Sequence, residues 1–484
     1  MSEKKSLKVN FIMNTILTMS AFVFPLISFP YVSRILLPEG TGKVSFATSL
    51  ISYFVMFAQL GIPTYGVRAC AKVRDDKHLL SKTAHELLII NLVMTVISYV
   101  ALAGALIFVP RLREDRLLYI VVSLTIFFTT IGMEWLYKAL EQYTYIALRS
   151  IIFKAVALLA MFLLVHEKKD YVIYGGISIL ASSASFVMNF FHARKYIFMR
   201  PMGGYDFRPH LKAVMVFFAM SCASTIYTHL DTVMLGFMDT DTTVGYYNAA
   251  VRIKNILVSI VTSLGTVLLP RAAYYVEHKL WDQFRDISRK ALNFTVVAAT
   301  PMMLYFILFA RDGIFLLSGE EYAGSILPMQ LAMPTLLFIG ISNILGIQIL
   351  VPMGKETSVL WSIIAGAVVD LVLNIVLIPT FGASGAAAAN MIAEGTVMVV
   401  QIVMLRKEVM PSLKKIQYWK VLAALAVGAA ASFWVASLRL GSFLSLALSA
   451  VLFFAAYGAT LLITGERMLR DLVGQILRKF RGGH

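Results

Sequence analysis

The sequence predicts an all-α integral membrane protein with about fourteen transmembrane helices, grouped as two six-helix lobes and two additional C-terminal helices. Composition is the first observation behind this prediction. The 484 residues are 59% hydrophobic and only 14% charged, whereas soluble domains have roughly 45–50% apolar and about 25% charged residues. The second is that apolar stretches long enough to cross a bilayer recur along the chain. The third is that basic residues concentrate in alternate connections. An ordinary globular enzyme is therefore excluded.

The predicted spans follow from the thickness of the bilayer core. A span needs about 20 mostly apolar residues, and lipid requires its backbone to be helical. The first stretch exceeds a signal-peptide core and lacks a small-residue cleavage site, so we expect it to remain as a span. The stretch that contains Pro334 is predicted to be the least regular. The fourteen stretches cover approximately 11–36, 44–66, 85–109, 117–137, 144–165, 171–192, 212–237, 243–268, 291–310, 326–350, 357–379, 383–405, 418–438 and 443–464.

The formal net charge of +16 is explained by where the basic residues lie. With the N-terminus inside, 30 of the 43 Lys and Arg residues fall in inner connections and nine in outer ones. This asymmetry matches the positive-inside rule, which predicts that both termini are cytoplasmic. No role in nucleic-acid binding is expected. The other four basic residues, Arg149, Lys154, Arg252 and Lys254, lie inside spans.

An internal duplication is predicted from span lengths and hairpins. Spans one to six occupy 11–192 and spans seven to twelve occupy 212–405, and each block opens with a tight polar hairpin, RILLPEGTGKVSFA and MLGFMDTDTTVGYYNAA. Six spans per block predict a pseudo-two-fold axis along the membrane normal, with a cavity between the lobes. The predicted domains are therefore an N-terminal lobe at 1–200, a C-terminal lobe at 201–410, and 411–484 with two added helices and a cytoplasmic tail.

Basic residues inside spans are the first candidates for a binding site. A charge near the bilayer centre costs about 2.5–3.5 kcal/mol, so it normally faces protein or water. Lys154 is too central to reach the interface easily, which favours a cavity position. Arg149, together with Glu134, is consistent with simple extension to the inner interface. Four such residues indicate a cavity that attracts anions, such as a phosphate-bearing substrate.

Acidic residues and one histidine inside spans are candidates for ion coupling or gating. Asp231 is predicted either to pair with Arg252 or to take part in coupling, and His229 either to donate between helices or to carry a proton. Asp370 lies four residues before Asn374 on one helix face. A buried hydrogen-bond bridge between helices and a functional site are both open for this pair. Glu394 completes this set of candidates.

Several classes of site are not predicted. The two cysteines, Cys70 and Cys222, are far apart and suggest no disulfide framework, and no Cys/His cluster has metal-ligand spacing. No nucleophile elbow, zinc motif or phosphate-binding loop is present in the sequence. No cofactor and no enzymatic activity are expected. The inner connection 271–290 is either an amphipathic surface helix or a basic solvated connector.

Four segments resemble the polysaccharide-biosynthesis family of flippases, which belongs to the multidrug/oligosaccharidyl-lipid/polysaccharide exporter superfamily. These are YVSRILLPEGTGKVSFATS, QLGIPTYGVRACAKVRDD, LDTVMLGFMDTDTTVGYYNAAVRI and IPTFGASGAAAANMIAE, and the resemblance runs over about residues 8–410. Arg34 and Arg68 lie in its hairpin motifs, and Asp231 and Arg252 in the central one. Glycines 40, 42, 61 and 66 of these motifs are predicted to permit tight turns and close helix approach.

The resemblance implies two lobes around a cationic central cavity and transport by alternating access. The implied substrate is an undecaprenyl-diphosphate-linked sugar repeat, which would move across a bacterial inner membrane with H⁺ or Na⁺ as candidate coupling ions. Membrane lipid and polysaccharide assembly proteins are the other expected partners. Arg34, Arg68, Arg149, Lys154, Arg252 and Lys254 are the predicted substrate-binding residues. A cation-coupled multidrug antiporter and, with less support because the outer loops are small, a polysaccharide polymerase or ligase are the alternatives.

Overall fold

The computed structural model describes residues 7–413, 415–438, 440–466 and 469–470. The predicted cytoplasmic tail beyond residue 470 lies outside the described residues. The described part of the chain is helical throughout and contains no β-strand. The chain divides into two compact units, Met1–Gly245 and Tyr246–His484.

Ten α-helices lie wholly within the described part of the first unit. They are α1 (Leu7–Gln59), α2 (Ile62–Lys72), α3 (Lys77–Phe108), α4 (Pro110–Arg113), α5 (Arg116–Gly132), α6 (Glu134–Ala139), α7 (Tyr143–Leu164), α8 (Tyr171–Ile179), α9 (Phe186–Ala193) and α10 (Arg208–Met238). A π-helical turn, Leu180–Ala184, joins α8 to α9. Helix α1 packs against α3, α5, α7, α8 and α10, so it is the central helix of this unit.

Helix α1 is too long to be a single span. A straight helix of its 53 residues would be about 80 Å long at 1.5 Å per residue, against a hydrocarbon core of about 30 Å. The chain leaves helical geometry at Leu37, whose φ is 59°, directly before Pro38. It breaks again at Gly61, whose φ is +72° and which precedes α2. Helix α1 therefore supplies the first two predicted spans.

The second unit continues with α11, which begins at the end of the first unit. Its helices are α11 (Asp241–Glu277), α12 (Trp281–Leu308), α13 (Ala310–Ser318), α14 (Ile326–Ala332), α15 (Thr335–Asn343), α16 (Glu356–Met404), α17 (Arg406–Leu413), α18 (Tyr418–Phe433) and α19 (Ser442–Ile463). Short 3₁₀ segments at Glu320–Ser325 and Trp434–Leu438 and a π-helical segment at Ile344–Leu350 connect or extend them.

The number of spans agrees with the sequence prediction. Among the described residues, ten helices are long and apolar enough to cross a membrane, and twelve if each of two bent pairs is counted once. Helix α16 has 49 residues and leaves helical geometry at Gly382, so it supplies two spans, as α1 does. Counting both breaks gives fourteen spans. The predicted irregular stretch is bent by 43° between Glu320–Ala332 and Thr335–Leu350, where Pro334 follows the first segment.

The inner connection at 271–290 is mostly helical. Helix α11 reaches Glu277 after a bend of 43° between Asp241–Ser263 and Leu268–Glu277, and α12 begins at Trp281. The place of this connection on the inner surface stays a prediction. Lys279 turns the chain with a φ of 56°. The charged residues at the start of α12 are thus part of a spanning helix that extends beyond the apolar stretch.

The two C-terminal helices pack on the rest of the second unit through aromatic residues. Phe453 of α19 is fully buried, and its ring lies 5.5 Å from that of Tyr305 of α12. The Tyr305 hydroxyl donates to the Leu446 carbonyl at 2.8 Å, and the Tyr457 hydroxyl donates to the Val297 carbonyl at 2.8 Å. Because both hydroxyls have acceptors, this interface buries large rings without leaving their polar atoms unsatisfied. The predicted lobe boundaries at 200 and 410 stay predictions.

Candidate functional site

Lys154 lies in α7 and lines a cavity of about 400 Å³ between α7 and the first half of α1. Its Nζ donates to the Ser20 Oγ at 2.9 Å, while the Ser20 hydroxyl itself donates to the Leu17 carbonyl at 2.7 Å. A lysine carries three N–H donors, so two remain for a ligand or water. The rest of the wall is almost entirely apolar: Ile16, Met19, Val23, Phe24, Ile27, Ile151, Ala155 and Leu158, with Thr15 as the other polar residue.

This cavity combines two properties. Its apolar side chains, among them the exposed Met19 and Val23, suit hydrocarbon. The single ammonium of Lys154 suits an anionic group that enters with that hydrocarbon, because a lysine behaves as a compact point charge toward phosphate. The expectation that Lys154 has a cavity position is supported by this geometry.

Arg149 precedes Lys154 by five residues on the same helix but is buried, with 4% of its surface exposed. Its Nη2 lies 3.5 Å from Glu134 Oε2, and its guanidinium lies 4.9 Å from the ring centroid of Phe186. Its Nε and Nη1 atoms are buried without a hydrogen-bond partner in the described part of the chain. Arg149 therefore points into the helix bundle, and the interpretation that it extends to the interface is wrong.

The second unit holds a further buried cation. Lys254 of α11 is 6% exposed and donates through Nζ to the Asn390 Oδ1 of α16 at 3.1 Å. The partner of Lys254 in this hydrogen bond is thus a neutral amide rather than a carboxylate. Small residues on either side of Asn390, including the buried Ala386 and Ala393, allow α16 to approach closely. Arg252, two residues before Lys254, is half-buried.

The two arginines of the hairpin motifs lie in a different environment. Arg34 is exposed, and its Nη1 donates to the Pro30 carbonyl of its own helix at 2.5 Å. Arg68 is exposed on α2. The structure does not bury either side chain, in contrast to Arg149 and Lys254.

The predicted coupling residues are buried or partly buried. His229 Nδ1 lies 3.2 Å from Ser49 Oγ, which links α10 to α1. Asp231 is 4% exposed and Glu394 is 9% exposed. Asp370 and Asn374 are both fully buried on α16, which confirms that they share an inward face. Their roles in coupling or gating stay predictions.

One buried polar cluster was missed. Glu86 of α3 and His210 of α10 are 4% and 8% exposed, with 2.8 Å between Glu86 Oε2 and His210 Nε2. The other ring nitrogen, His210 Nδ1, lies 2.8 Å from the Tyr65 hydroxyl. Glu86 Oε1 also accepts from the Asp206 backbone N–H at 2.8 Å. This cluster joins three helices to the segment that precedes α10. Glu86 lies at the start of the predicted span 85–109, and a carboxylate inside a span was the signal that could have identified it.

A second unpredicted contact joins α4 to the outer end of α10 and to the residues that follow it. Arg111 of α4 pairs with Asp241 at 2.5 Å and donates through Nε to the Gly236 carbonyl at 3.1 Å. Burial acts to lower the pKa of Arg111, but the nearby Asp241 carboxylate acts in the opposite direction and the net shift is upward. The guanidinium thus keeps its charge and fixes the outer end of α10 to α4.

Gly42, Gly61 and Gly66 have the packing role that was predicted, while an added Cβ at Gly40 would lie 3.0 Å from the Leu36 Cβ. A Cβ at Gly42 would lie 1.7 Å from the Asp241 carbonyl oxygen, and one at Gly245 would lie 2.0 Å from the Pro38 carbonyl oxygen. Gly61 and Gly66 are similarly closed off, by the Phe218 backbone and by the Trp135 ring respectively. Gly42, Gly61, Gly66 and Gly245, the last of which was not predicted, need glycine because another helix occupies the space of a side chain.

Sequence comparison gives one family. A model described as "Polysaccharide biosynthesis protein" matches residues 7–276, more than half of the chain. A protein of Escherichia coli (strain K12) named provisionally as an O-antigen transporter is 23% identical over 412 residues, which cover 84% of this chain and 98% of that protein. A similarly named protein of Shigella dysenteriae is 23% identical over 387 residues, which cover 79% of this chain and 95% of that one.

Structural comparison agrees on the fold. The structure of the lipid II flippase MurJ in an inward closed conformation matches with a TM-score of 0.72 and 15% identity, covering 96% of this chain and all of that one. An inward-facing multidrug resistance MATE transporter of the MOP superfamily matches with a TM-score of 0.65 and 14% identity, covering 84% and 99%. The predicted all-α, multi-pass membrane transporter fold is confirmed.

Proposed function

Because the chain belongs to the polysaccharide biosynthesis protein family, we propose that it moves undecaprenyl-diphosphate-linked oligosaccharide repeat units from the cytoplasmic to the outer leaflet of a bacterial inner membrane. The observation that carries this proposal is Lys154, an ammonium in an otherwise apolar cavity. A lipid-linked sugar diphosphate presents the complementary pair of a hydrocarbon chain and a strong anion. The names of the relatives, which refer to O-antigen transport and lipid II flipping, support the same substrate class.

In this mechanism the cations hold the diphosphate while the isoprenoid chain stays in contact with lipid. Lys154 is the proposed anion-binding residue of the first unit, and Lys254 and Arg252 are candidate cations of the second. Arg34, Arg68 and Arg149 are further candidates. Alternating access then carries the headgroup outward, with both termini cytoplasmic and polysaccharide assembly proteins as partners that supply or receive the substrate.

The energy source is proposed to be an ion gradient or the membrane potential. Buried carboxylates are the groups that bind H⁺ or Na⁺ within a membrane, and Asp231, Asp370 and Glu394 are buried. His229 is the candidate proton carrier. Substitution Asp370→Asn should abolish the dependence of transport on an imposed ion gradient in proteoliposomes, whereas substrate binding should persist.

Substitution at Lys154 tests the transport proposal. We expect Lys154→Ala to abolish surface polysaccharide in a strain that lacks its own copy, because the anion loses its counter-charge, while the protein inserts at the normal level. Lys154→Arg should retain at least part of the activity, since it keeps the charge. Lys168→Ala, which removes an exposed lysine from the same unit, is the control. Normal polysaccharide in the Lys154→Ala strain would remove this residue from the mechanism.

The same buried carboxylates keep a cation-coupled multidrug antiporter as a second candidate. Such a transporter exchanges a cationic drug for an ion at acidic residues, whereas the cavity at Lys154 is cationic. Drug resistance conferred by expression, with no change in surface polysaccharide, would favour the antiporter. Glycan attachment by the purified protein would instead favour a polymerase or ligase.

A further inference from the structure

A second cavity, of about 510 Å³, lies in the second unit between the start of α12, the π-helical segment Ile344–Leu350 and α17. All three elements adjoin connections that are predicted to be cytoplasmic, so this cavity opens at the inner surface of the membrane. We call it the inner-face cavity. Its lining combines basic, acidic and apolar side chains, among them Trp281, Phe284, Ile349, Lys407, Val409 and Lys415.

The acidic residues of this cavity are already neutralised. Asp286 accepts from Arg289 at 2.6 Å and lies 2.8 Å from Lys290 Nζ. Asp282 pairs with Arg285 at 3.3 Å. The remaining acid, Glu408, lies 3.7 Å from Lys355, which is outside the cavity lining.

Two lysines of the same lining are not neutralised. Lys407 and Lys415 are exposed, and neither has an ion pair with any residue that the structure describes. Because the acids nearby are occupied, these two ammonium groups give the opening of the cavity a net positive charge. An anion can bind there without displacing an existing pair.

The interior of the cavity is suited to hydrocarbon rather than to a hydrated ion. Phe284, Ile349 and Val409 are buried with 4%, 2% and 2% of their surfaces exposed, and they form an apolar floor. Trp281 is 43% exposed at the edge, where an indole is favourably placed at the level of lipid headgroups. Cations at the opening, an apolar floor and an interfacial tryptophan together match an amphiphile with a phosphate headgroup.

We propose that the inner-face cavity binds an anionic phospholipid of the cytoplasmic leaflet, with Lys407 and Lys415 at its phosphate and the apolar floor against its first acyl carbons. Basic pockets between helices on the cytoplasmic side recognise such headgroups. The site lies in the second unit and is separate from the cavity at Lys154. Lipid binding at this cavity does not require the chain to be a flippase. The test of lipid binding and the test of transport can therefore fail separately.

Lipid binding by purified full-length protein tests this site. Native mass spectrometry, with phosphatidylglycerol or phosphatidylcholine added to the detergent solution, measures how many lipids are retained and how tightly. We expect selective retention of phosphatidylglycerol. The double variant Lys407→Gln/Lys415→Gln should weaken that binding about 25-fold, since each lysine near a headgroup contributes about a factor of five. Both lysines are exposed, so the variant is expected to fold, and its thermal unfolding is measured alongside.

The matched control removes two basic residues from the same inner face but outside the cavity lining. Arg271 and Lys279 are exposed, and the variant Arg271→Gln/Lys279→Gln should bind phosphatidylglycerol like the unaltered protein. Equal loss in both double variants, or equal retention of phosphatidylcholine, would overturn the proposal. Excess inorganic phosphate should not displace the lipid. Full displacement by phosphate would instead identify a soluble phosphate as the ligand and overturn the assignment to lipid.

Discussion

Arg149 and Lys154 lie five residues apart on α7, yet only one of them has a carboxylate partner among the residues that the structure describes. Their cationic groups therefore differ in whether they can bind a ligand. The guanidinium of Arg149 is held by Glu134 and by the Phe186 ring. Within the described part of the chain, Lys154 has only the neutral Ser20 hydroxyl within hydrogen-bond distance. A buried charge that has lost its counter-ion is costly, while a charge in a cavity remains available to a ligand. Arg149 is thus better suited to positioning α7, and Lys154 to binding.

This difference predicts that Glu134 matters for stability. We expect Glu134→Gln to lower the free energy of unfolding by about 1–3 kcal/mol, because Arg149 would stay buried without its carboxylate. Thermal loss of monodisperse protein in detergent, followed by size-exclusion chromatography, measures the effect. Glu141→Gln is the control, since Glu141 pairs with Arg74 in an exposed connection, with 47% and 45% of the two side chains exposed. Equal stability of the two variants would contradict the assignment.

The sequence predicted the cationic residues but not their partners. Ser20 is 134 residues from Lys154, and Asn390 is 136 residues from Lys254. Composition and hydropathy identify a lysine inside a span, since the energetic cost of the charge is local. Which helix faces that lysine depends on packing between segments that are distant in the chain, and a single sequence carries no signal for it.

At the scale of elements, the outer hairpins of the first unit are held by backbone contact as much as by side chains. Gly42 packs against the Asp241 carbonyl, and Gly245 packs against the Pro38 carbonyl. Arg111 adds an ion pair to the same region. Gly42 was predicted correctly because turn and close-approach positions share a recognisable motif, whereas Gly245 was not predicted. The ion pair was not predicted either, since its two members lie in connections of opposite charge far apart in the sequence.

Gly42→Ala should therefore disrupt this region. The added methyl group would lie 1.7 Å from the Asp241 oxygen, so either the hairpins separate or the backbone shifts, at a cost of about 1–3 kcal/mol. Lower expression and a lower unfolding temperature are the expected results. Gly104→Ala is the matched control, because a Cβ there meets no atom within 4 Å and alanine favours the helix. A stable Gly42→Ala protein would show that the hairpins can repack.

At the scale of the whole molecule, the fold was largely predictable because lipid leaves the chain few alternatives. Each stretch of about 20 apolar residues must be helical, and the fourteen predicted stretches are mainly helical in the structure, with short breaks in some, for example at Met133 and Phe309. Hydropathy does not show whether successive spans belong to one continuous helix. Predicted spans merge into α1 and α16, and charged segments such as the start of α12 extend the helices past the apolar region, because helical hydrogen bonding does not end where hydrophobicity does.

The direction of the spans is a separate prediction, carried by the inner excess of basic residues. In a background without reactive thiols (Cys70→Ala/Cys222→Ala), single cysteines are introduced at exposed positions and treated on intact cells with a membrane-impermeant maleimide. Glu114→Cys and Thr240→Cys, in outer connections, should be labelled before the cells are opened. Lys77→Cys and Lys355→Cys, in inner connections, should be labelled only afterwards, because 30 of 43 basic residues hold their side in the cytoplasm. The two pairs lie on both sides of the first predicted lobe boundary. Reversed labelling of all four would invert the topology. Reversal of Thr240 and Lys355 alone would mean that one segment among predicted spans four to seven is miscounted.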